Sequence, residues 1–350
     1  MTCVSIDINH CGYYNPRMRR IPCIAIIGAG PAGIAAAIQL VRYGYKPMLF
    51  EKNKPGGLLG NAFKVENYPG FPEGLSGIDF AEKLSAHLKK YKIPVIMQEV
   101  KSVVHKKGQY IIEAEKKMKA DILVIASGTK PKRLSLSLPA RSLKILSEIY
   151  AIRNERHRTI AIIGAGDAAL DYALNLCRYN KVILINRRDQ IKGLSVLSER
   201  LKTEIRNGRV KYLRNAVITK IEDATDGIYL YVRRNSLKKY FCHHAVLAIG
   251  REPALDFLPR SFLKHFPNGN RSLYFIGDVK NGDLRQTSIA IGDGMKAAMT
   301  INEVIESLNY SKLLKGKPNL DPPLLKGNPN SDPPLLKGKP NSNPPLLKGE

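Results

Sequence analysis

Two glycine-rich turns constrain this chain more than any other feature. Gly28-Ala29-Gly30-Pro31-Ala32-Gly33 and Gly164-Ala165-Gly166-Asp167-Ala168-Ala169 each follow an apolar run (Cys23–Ile27 and the segment from Thr159) and precede a helical pattern. One G-x-G-x-x-G is weak evidence, but a strand, glycine turn and helix repeated in that order predict two α/β units, each able to hold a dinucleotide. In the first turn Gly28 allows the tight bend, Gly30 lets backbone approach a pyrophosphate, and Gly33 lets helix and strand pack closely. The helix N-terminus beneath carries the phosphate charge. The second turn ends in Ala169, a tolerated variant.

The residues after each turn separate the two occupants. Glu51 closes the strand Pro47–Phe50, where a carboxylate accepts hydrogen bonds from a ribose diol and repels a 2′-phosphate, so the first unit suits FAD or NAD. The equivalent strand of the second unit, Val182–Ile185, is followed by Asn186, Arg187 and Arg188, with Lys192 on the next turn. Loss of the acid and gain of two guanidinium forks favour a 2′-phosphate, and charge-assisted bonds of roughly 1.5–3 kcal/mol each predict a preference for NADPH. Two nucleotides on one chain imply a hydride passed from nicotinamide to flavin.

Length and composition are compatible with two domains and a sizeable core. Lys+Arg 56 against Asp+Glu 30 gives +26, and only a small part of that excess lies in the last 39 residues. Such a charge favours acidic partners or anionic surfaces, but no run resembles an RNP motif or a zinc finger. Five cysteines form no CxxC and no metal-ligand spacing with histidine, so no metal is expected; Cys23 and Cys177 fall where small apolar residues fit. The odd count and the lack of a secretory h-region fit a reducing cytoplasm. No stretch reaches transmembrane length.

Residues 1–20 show no periodicity and read as an irregular leader. Helices are expected from the first turn to about Tyr43, over Ile78–Tyr91, Ala168–Arg178, Leu194–Arg206 and Thr287–Leu308, with strands at 93–98, 101–105, 109–114, Ile122–Ile125 and Leu273–Ile276 and a meander through 210–249. The Gly/Pro-rich stretch from Asn53 to Gly77 is longer than connections usually are, which marks it as functional or disordered. From Leu313 the frame Leu-Leu-Lys-Gly repeats every 11 residues with proline pairs, an extended low-complexity tail that cannot join a helix or a sheet.

From about Ile21 to Leu308 the chain resembles the thioredoxin reductase-like group of FAD/NADPH flavoproteins. The matching stretches are Gly57-Leu-Leu-Gly, Val65-Glu-Asn-Tyr-Pro-Gly-Phe-Pro-Glu-Gly, Ala126-Ser-Gly-Thr, Gly166-Asp-Ala-Ala, Arg187-Arg-Asp, Ala248-Ile-Gly-Arg-Glu-Pro, Ile276-Gly-Asp-Val and Arg285-Gln. The resemblance implies two Rossmann-like three-layer ββα domains, with the NADPH domain (134–246) inserted into a FAD domain (21–133 and 247–311) and the tail beginning at 312. It implies FAD contacts at Gly28, Gly30, Pro31, Ala32, Gly33, Glu51, Lys52, Gly57, Leu58, Asn67, Val100, Gly128, Gly277, Asp278, Gln286 and Thr287. Asp278 would bind the ribityl chain, and Gln286 with Thr287, opening the last helix, would face the flavin pyrimidine edge. NADPH contacts are implied at Gly164, Gly166, Asp167, Ala168, Ala169, Asn186, Arg187, Arg188, Lys192 and Gly250. A homodimer is implied as well.

One departure from that group matters. Thioredoxin reductases carry a CxxC just before the second fingerprint's strand, and an ungapped count puts Ser147 and Tyr150 at those positions. Neither side chain can form or attack a disulfide. No side chain is therefore expected to be catalytic, since the flavin carries the chemistry. The expected activity is NADPH oxidation with electrons passed to a non-thiol acceptor, either a ferredoxin or flavodoxin or a small molecule. The alternatives are a disulfide reductase with non-standard thiols and a non-catalytic FAD/NADPH sensor.

Overall fold

The computed structural model describes residues 21–134, 136, 143–259, 262 and 271–314; the leader 1–20 and the repeats beyond 314 lie outside them. The chain divides into two units, Met1–Glu306 and Ser307–Glu350, and the architecture below belongs to the first, apart from the helical residues 307–314.

The first half runs β1 (Ile24–Ile27), α1 (Pro31–Arg42), β2 (Met48–Phe50), a 3-10 turn (Gly57–Asn61), α2 (Gly77–Lys90), β3 (Val95–Ile96), β4 (Ser102–Lys106), β5 (Gln109–Glu113), β6 (Lys117–Ala120), β7 (Ile122–Ile125) and β8 (Thr129–Pro131). It continues through β9 (Ile145–Leu146), a second 3-10 turn (Tyr150–Ile152), β10 (Thr159–Ile163), α3 (Asp167–Leu176), β11 (Lys181–Ile185), α4 (Ser195–Arg206), β12 (Val210–Leu213), β13 (Val217–Ala224), β14 (Gly227–Arg233), β15 (Leu237–Cys242) and β16 (His244–Leu247). It returns by β17 (Arg251–Pro253), β18 (Leu273–Phe275), a third 3-10 turn (Gly277–Val279) and α5 (Thr287–Leu314).

Two five-stranded parallel sheets result, ordered β18-β7-β1-β2-β3 and β12-β11-β10-β16-β9. All four residues of β1 are buried, as a strand covered on both faces requires. One face of the first sheet takes α1 and α5, and the other takes the antiparallel meander β4-β5-β6. The second sheet repeats this plan with α3 and α4 on one face and β13-β14-β15 on the other. In β14 the pattern is strictly alternating, with Ile228, Leu230 and Val232 buried and Tyr229, Tyr231 and Arg233 facing out. The architecture is thus the expected pair of three-layer ββα units, one inserted in the other.

In each sheet the chain order reverses beside the strand that leads into the glycine turn, β1 or β10. That reversal opens a crevice at the carboxyl ends of the strands, where the two turns lie. The two chain crossings between the sheets, β8 and β17, pair antiparallel with Arg251 opposite Pro131 and Pro253 opposite Thr129.

Elements departed from the sequence reading where periodicity is weakest. β6 was not expected, because Lys117-Met-Lys-Ala alternates over only two buried residues, Met118 and Ala120. The strand at 93–98 shrinks to Val95–Ile96, since the Ile93 N–H instead closes the end of α2 on the Leu88 carbonyl. The long stretch after Asn53 is ordered by its own 3-10 turn and by a bridge between Val65 and Leu75. Ser76 caps α2, its Oγ accepting from the Asp79 N–H at 3.1 Å. Cys177 and Cys242 are free and buried, whereas Cys23 is disulfide-bonded rather than a simple apolar filler. Among the described residues, no helix is long and apolar enough to cross a membrane.

Two glycines of α5 provide a test of this packing. A Cβ on Gly294 would sit 2.2 Å from the Ala32 carbonyl oxygen of α1, while Gly292 has nothing within 4 Å. Gly294→Ala should destabilise by about 1–3 kcal/mol or more. Gly292→Ala should be neutral or gain up to about 1 kcal/mol. Thermal melts of both variants check the contrast.

Candidate functional site

At the first turn, Gly28 has φ +107°, and a Cβ there would lie 2.3 Å from the Ala126 carbonyl oxygen of the neighbouring strand end. A Cβ on Gly33 would lie 1.9 Å from the Gly28 carbonyl oxygen. Gly30 has nothing within 4 Å of its Cβ position and borders the crevice. Helix α1 starts at Pro31, so the unpaired amides of its first turn open toward that space. Glu51 does more than its position predicted. Its carboxylate accepts from the Ala29 N–H at 2.8 Å and from the Asn53 N–H at 2.9 Å, so it braces the turn while each oxygen keeps a lone pair.

The crevice has a volume of about 700 Å³, and thirteen of the expected flavin positions line it. Gly28, Gly30, Pro31 and Ala32 form its floor with Glu51 and Lys52; Gly57, Leu58 and Asn67 come from the long connection; Gly128, Asp278, Gln286 and Thr287 complete it. Val100 lies instead in an adjoining hollow of about 400 Å³ that shares Gly28, Glu51 and Lys52. Gly33 and Gly277 are on neither wall. Gly277, at φ +71°, is a packing position whose N–H donates to Asp293 Oδ2 at 3.0 Å. Asn67 and Gln286, far apart in sequence, meet: Asn67 Nδ2 donates to Gln286 Oε1 at 2.8 Å. Burial pushes the Asp278 carboxyl up, partly offset by Arg285 and Arg251, and no described group donates to it. Glycines that no Cβ could replace, a helix N-terminus and a half-buried carboxylate without a partner fit FAD.

The second turn repeats the backbone geometry. Gly164 has φ +130°, with a Cβ position 2.1 Å from the Ala248 carbonyl oxygen, and Gly166 is open. Ala169 is fully buried, so its methyl fills the space between helix and sheet. Asp167 and Ala168, at the start of α3, line the same 700 Å³ crevice as the flavin positions. Asp167 Oδ1 accepts from the Leu194 N–H at 2.7 Å, and the Lys192 N–H reaches the Ala165 carbonyl at 2.9 Å, so the 186–194 loop closes over the turn. Asn186 is turned inward: its Nδ2 donates to the Gln190 carbonyl and to Tyr212 Oη, and its Oδ1 accepts from the Arg188 N–H. Its role here is to shape the loop. Arg187 and Arg188 are exposed beyond β11, and no described carboxylate pairs with them. Gly250, at φ +106°, belongs to the crossing ribbon, beside Lys132. These groups fit NADPH.

The inserted unit touches the first through polar contacts that sequence reading missed. Arg200 of α4 pairs with Glu66 at 2.8 Å and holds that carboxyl below its ordinary range. Asp171 of α3 accepts from the Phe63 N–H at 3.0 Å. Glu148 accepts from Asn61 Nδ2 at 3.2 Å and from Arg251 at 3.2 Å, while Arg251 also donates to Thr129. A glutamate flanked by the apolar pair Ile145-Leu146 and by Ile149 was the available signal for Glu148; Asn61 and Asp171 had none. Tyr150 donates its N–H to Asn61 Oδ1 at 3.1 Å and sets its ring 3.2 Å from the Gly60 Cβ position. The free thiols lie elsewhere. Burial pushes Cys177 up to about 11 and Cys242 up to about 12, so neither supplies a thiolate.

Burial also raises the Asp171 carboxyl from 3.8 to about 6, against the lowering effect of the Phe63 N–H. A raised carboxyl leaves the folded state protonated where the unfolded chain is ionised, so stability falls as pH rises from about 4 through about 6. Asp171→Asn keeps an acceptor for Phe63 without the charge. It should stabilise the fold at pH 7.5 by on the order of 1–3 kcal/mol, raising the melting temperature there, and by much less at pH 4. Paired melts at the two pH values check this.

Residues 22–294 match the family model for pyridine nucleotide-disulphide oxidoreductases. The chain is 27% identical over 320 residues to the thioredoxin reductase of Bacillus subtilis, covering 83% of this chain and 98% of that one. Its fold superposes on the thioredoxin reductase of Lactococcus lactis in its FR conformation with a TM-score of 0.73 at 23% identity, over 82% of this chain and all of the other. It also superposes on the bacillithiol disulfide reductase of Bacillus cereus with a TM-score of 0.65 at 17% identity, over 82% and 99% of the two chains. The chain belongs to the pyridine nucleotide-disulphide oxidoreductase family, as a thioredoxin reductase-like flavoprotein that uses FAD and NADPH.

Proposed function

We propose that this NADPH-dependent flavoprotein oxidoreductase delivers its electrons to a non-thiol acceptor, a small carrier protein or a quinone-like molecule. The observation that carries the reading is the replacement of both CxxC positions, Ser147 and Tyr150, with Tyr150 packed on Gly60 and tied to Asn61. The two free thiols among the described residues are buried away from the crevice.

In this proposal the α1 N-terminus and the turn at Gly28 and Gly30 bind the FAD pyrophosphate, and Glu51 the adenosine ribose. Asp278 accepts from the ribityl chain, and the α5 N-terminus at Thr287 stabilises negative charge at the flavin edge. The α3 N-terminus holds the pyrophosphate of NADPH, and Arg187 with Arg188 and Lys192 holds its 2′-phosphate. When bound, the flavin accepts hydride from NADPH and gives up two electrons. The protein's part is to set the two rings together and exclude water. The same reading places the domain borders at 133/134 and 246/247 and takes the enzyme as a cytoplasmic homodimer.

A second reading, disulfide reduction through a partner's thiols, is favoured by the names of the related proteins. Anaerobic NADPH should bleach the visible flavin band under either reading, and an acceptor screen separates them. Faster turnover with ferredoxin, flavodoxin or quinone than with thioredoxin or low-molecular-weight disulfides supports the first; the reverse order overturns it. Replacing Arg187 and Arg188 with Ala should raise KM for NADPH by roughly 10- to 100-fold. KM for NADH should change little, and equal effects would remove the 2′-phosphate assignment.

A further inference from the structure

Beside the crevice, three arginines and three aromatic rings lie close together in a band, as the pair Tyr150–Arg153 and the run Arg156–Tyr179–Arg178–Phe63, joined through the Arg153 carbonyl. The Arg153 guanidinium lies 3.9 Å over the Tyr150 ring, and Arg156 lies 3.8 Å over Tyr179. Arg178 stands 5.9 Å from Tyr179 and 5.2 Å from Phe63. The Arg153 Nη1 also donates to the Tyr150 carbonyl at 2.6 Å, and Arg156 Nη1 reaches the Arg153 carbonyl at 3.4 Å. The band is accessible: Tyr150 is 37% exposed, Tyr179 is 50% exposed, and Arg156 and Arg178 are exposed.

No carboxylate among the described residues pairs with Arg153, Arg156 or Arg178; the nearby Glu155 is engaged by Arg158 at 3.2 Å. A solvated basic surface ordinarily scatters its cations on free stems. Here the Arg153 and Arg156 guanidiniums each lie within 4 Å of a ring centroid, which restrains them at little further entropic cost, and Arg178 stands between two rings; none has a carboxylate partner among the described residues. The band also borders the crevice. Phe63 follows Ala62, and Tyr150 lies two residues after Glu148, both of which line it.

We propose that this band is the docking surface for an acidic one-electron carrier protein, which it seats beside the flavin crevice. The inference rests on the non-thiol reading and names its acceptor class. The exchange balances as one NADPH and two oxidised carriers giving NADP+, two reduced carriers and one proton. Single-stranded nucleic acid could also use cations and rings, but a band set against the redox crevice serves an electron carrier, and the extended sheet face that such strands use is elsewhere.

The test uses the FAD-loaded full chain with an acidic [2Fe–2S] ferredoxin as probe, in low salt. Binding of oxidised ferredoxin is read by fluorescence anisotropy, and turnover by ferredoxin-coupled cytochrome c reduction. Arg153→Glu with Arg156→Glu, and Arg178→Glu separately, should each raise Kd and KM for ferredoxin by about tenfold or more, with kcat nearly unchanged. Menadione reduction and FAD content should match the parent, which shows that the variants fold. Lys239→Glu, on the exposed face of β15 over Tyr229, makes a like-signed charge change and should leave ferredoxin binding intact. Moderate salt should weaken parent binding and have little effect on the double variant. If the parent reduces ferredoxin and the band variants bind as well as the parent, or no worse than Lys239→Glu, the docking surface is overturned while the non-thiol reading stands. If the parent binds ferredoxin through the band without reducing it, the surface stands and the ferredoxin form of the function falls. If the parent neither binds nor reduces ferredoxin, or the band binds a single-stranded oligonucleotide in its place, the proposal is overturned.

Discussion

Everything in this protein hangs on one close approach, made twice. The backbone at Gly28 lies against the carbonyl of Ala126, and that at Gly164 against the carbonyl of Ala248, each with room for hydrogen and nothing larger. Each contact seats a turn on the end of the adjacent parallel strand at the reversal of strand order. It thereby sets a helix N-terminus over the crevice. The walls of the crevice are arranged around those turns, and Glu51 stiffens the first by accepting the Ala29 and Asn53 amides.

The two units are held together by different forces from those that hold each one. Each sheet has its own pair of apolar clusters, one on its helical face and one on its meander face, and none of the four spans both sheets. Between the units stand polar contacts: Arg200 with Glu66, Asp171 with the Phe63 amide, and Glu148 with Asn61 and Arg251. Ion pairs as exposed as the first are worth little, and Asp171 carries a burial penalty.

Sequence reading reached furthest where a chemical requirement falls on consecutive residues. The glycine turns, the acid after β2 and the arginines after β11 were legible because each position needs a residue type that few others can replace. Most of the flavin positions taken from the resemblance came together on one crevice wall for the same reason. Asn186 reads from sequence as a nucleotide contact; its side chain also ties its own loop to Gln190 and to Tyr212 of β12, and the second of these partners is set by tertiary structure. β6 escaped because two buried residues make too short a pattern. Asp171, Asn61 and Glu148 escaped because their partners lie about a hundred residues away or on the opposite unit.

By itself the sequence determined two α/β units, each opened by a glycine turn, with an acid after β2, arginines after β11, and serine and tyrosine rather than cysteine at 147 and 150. These follow from local steric and charge rules that hold in any context. Tertiary structure alone decided that α3 opens onto the same crevice as the flavin positions. It alone decided that Tyr150 packs against Gly60, and that Arg156 lies over Tyr179 and Arg178 beside Phe63, rings from separate segments. Such facts depend on how two packed units meet, and side chains distant in sequence acquire a common purpose only when folding brings them within a few ångströms.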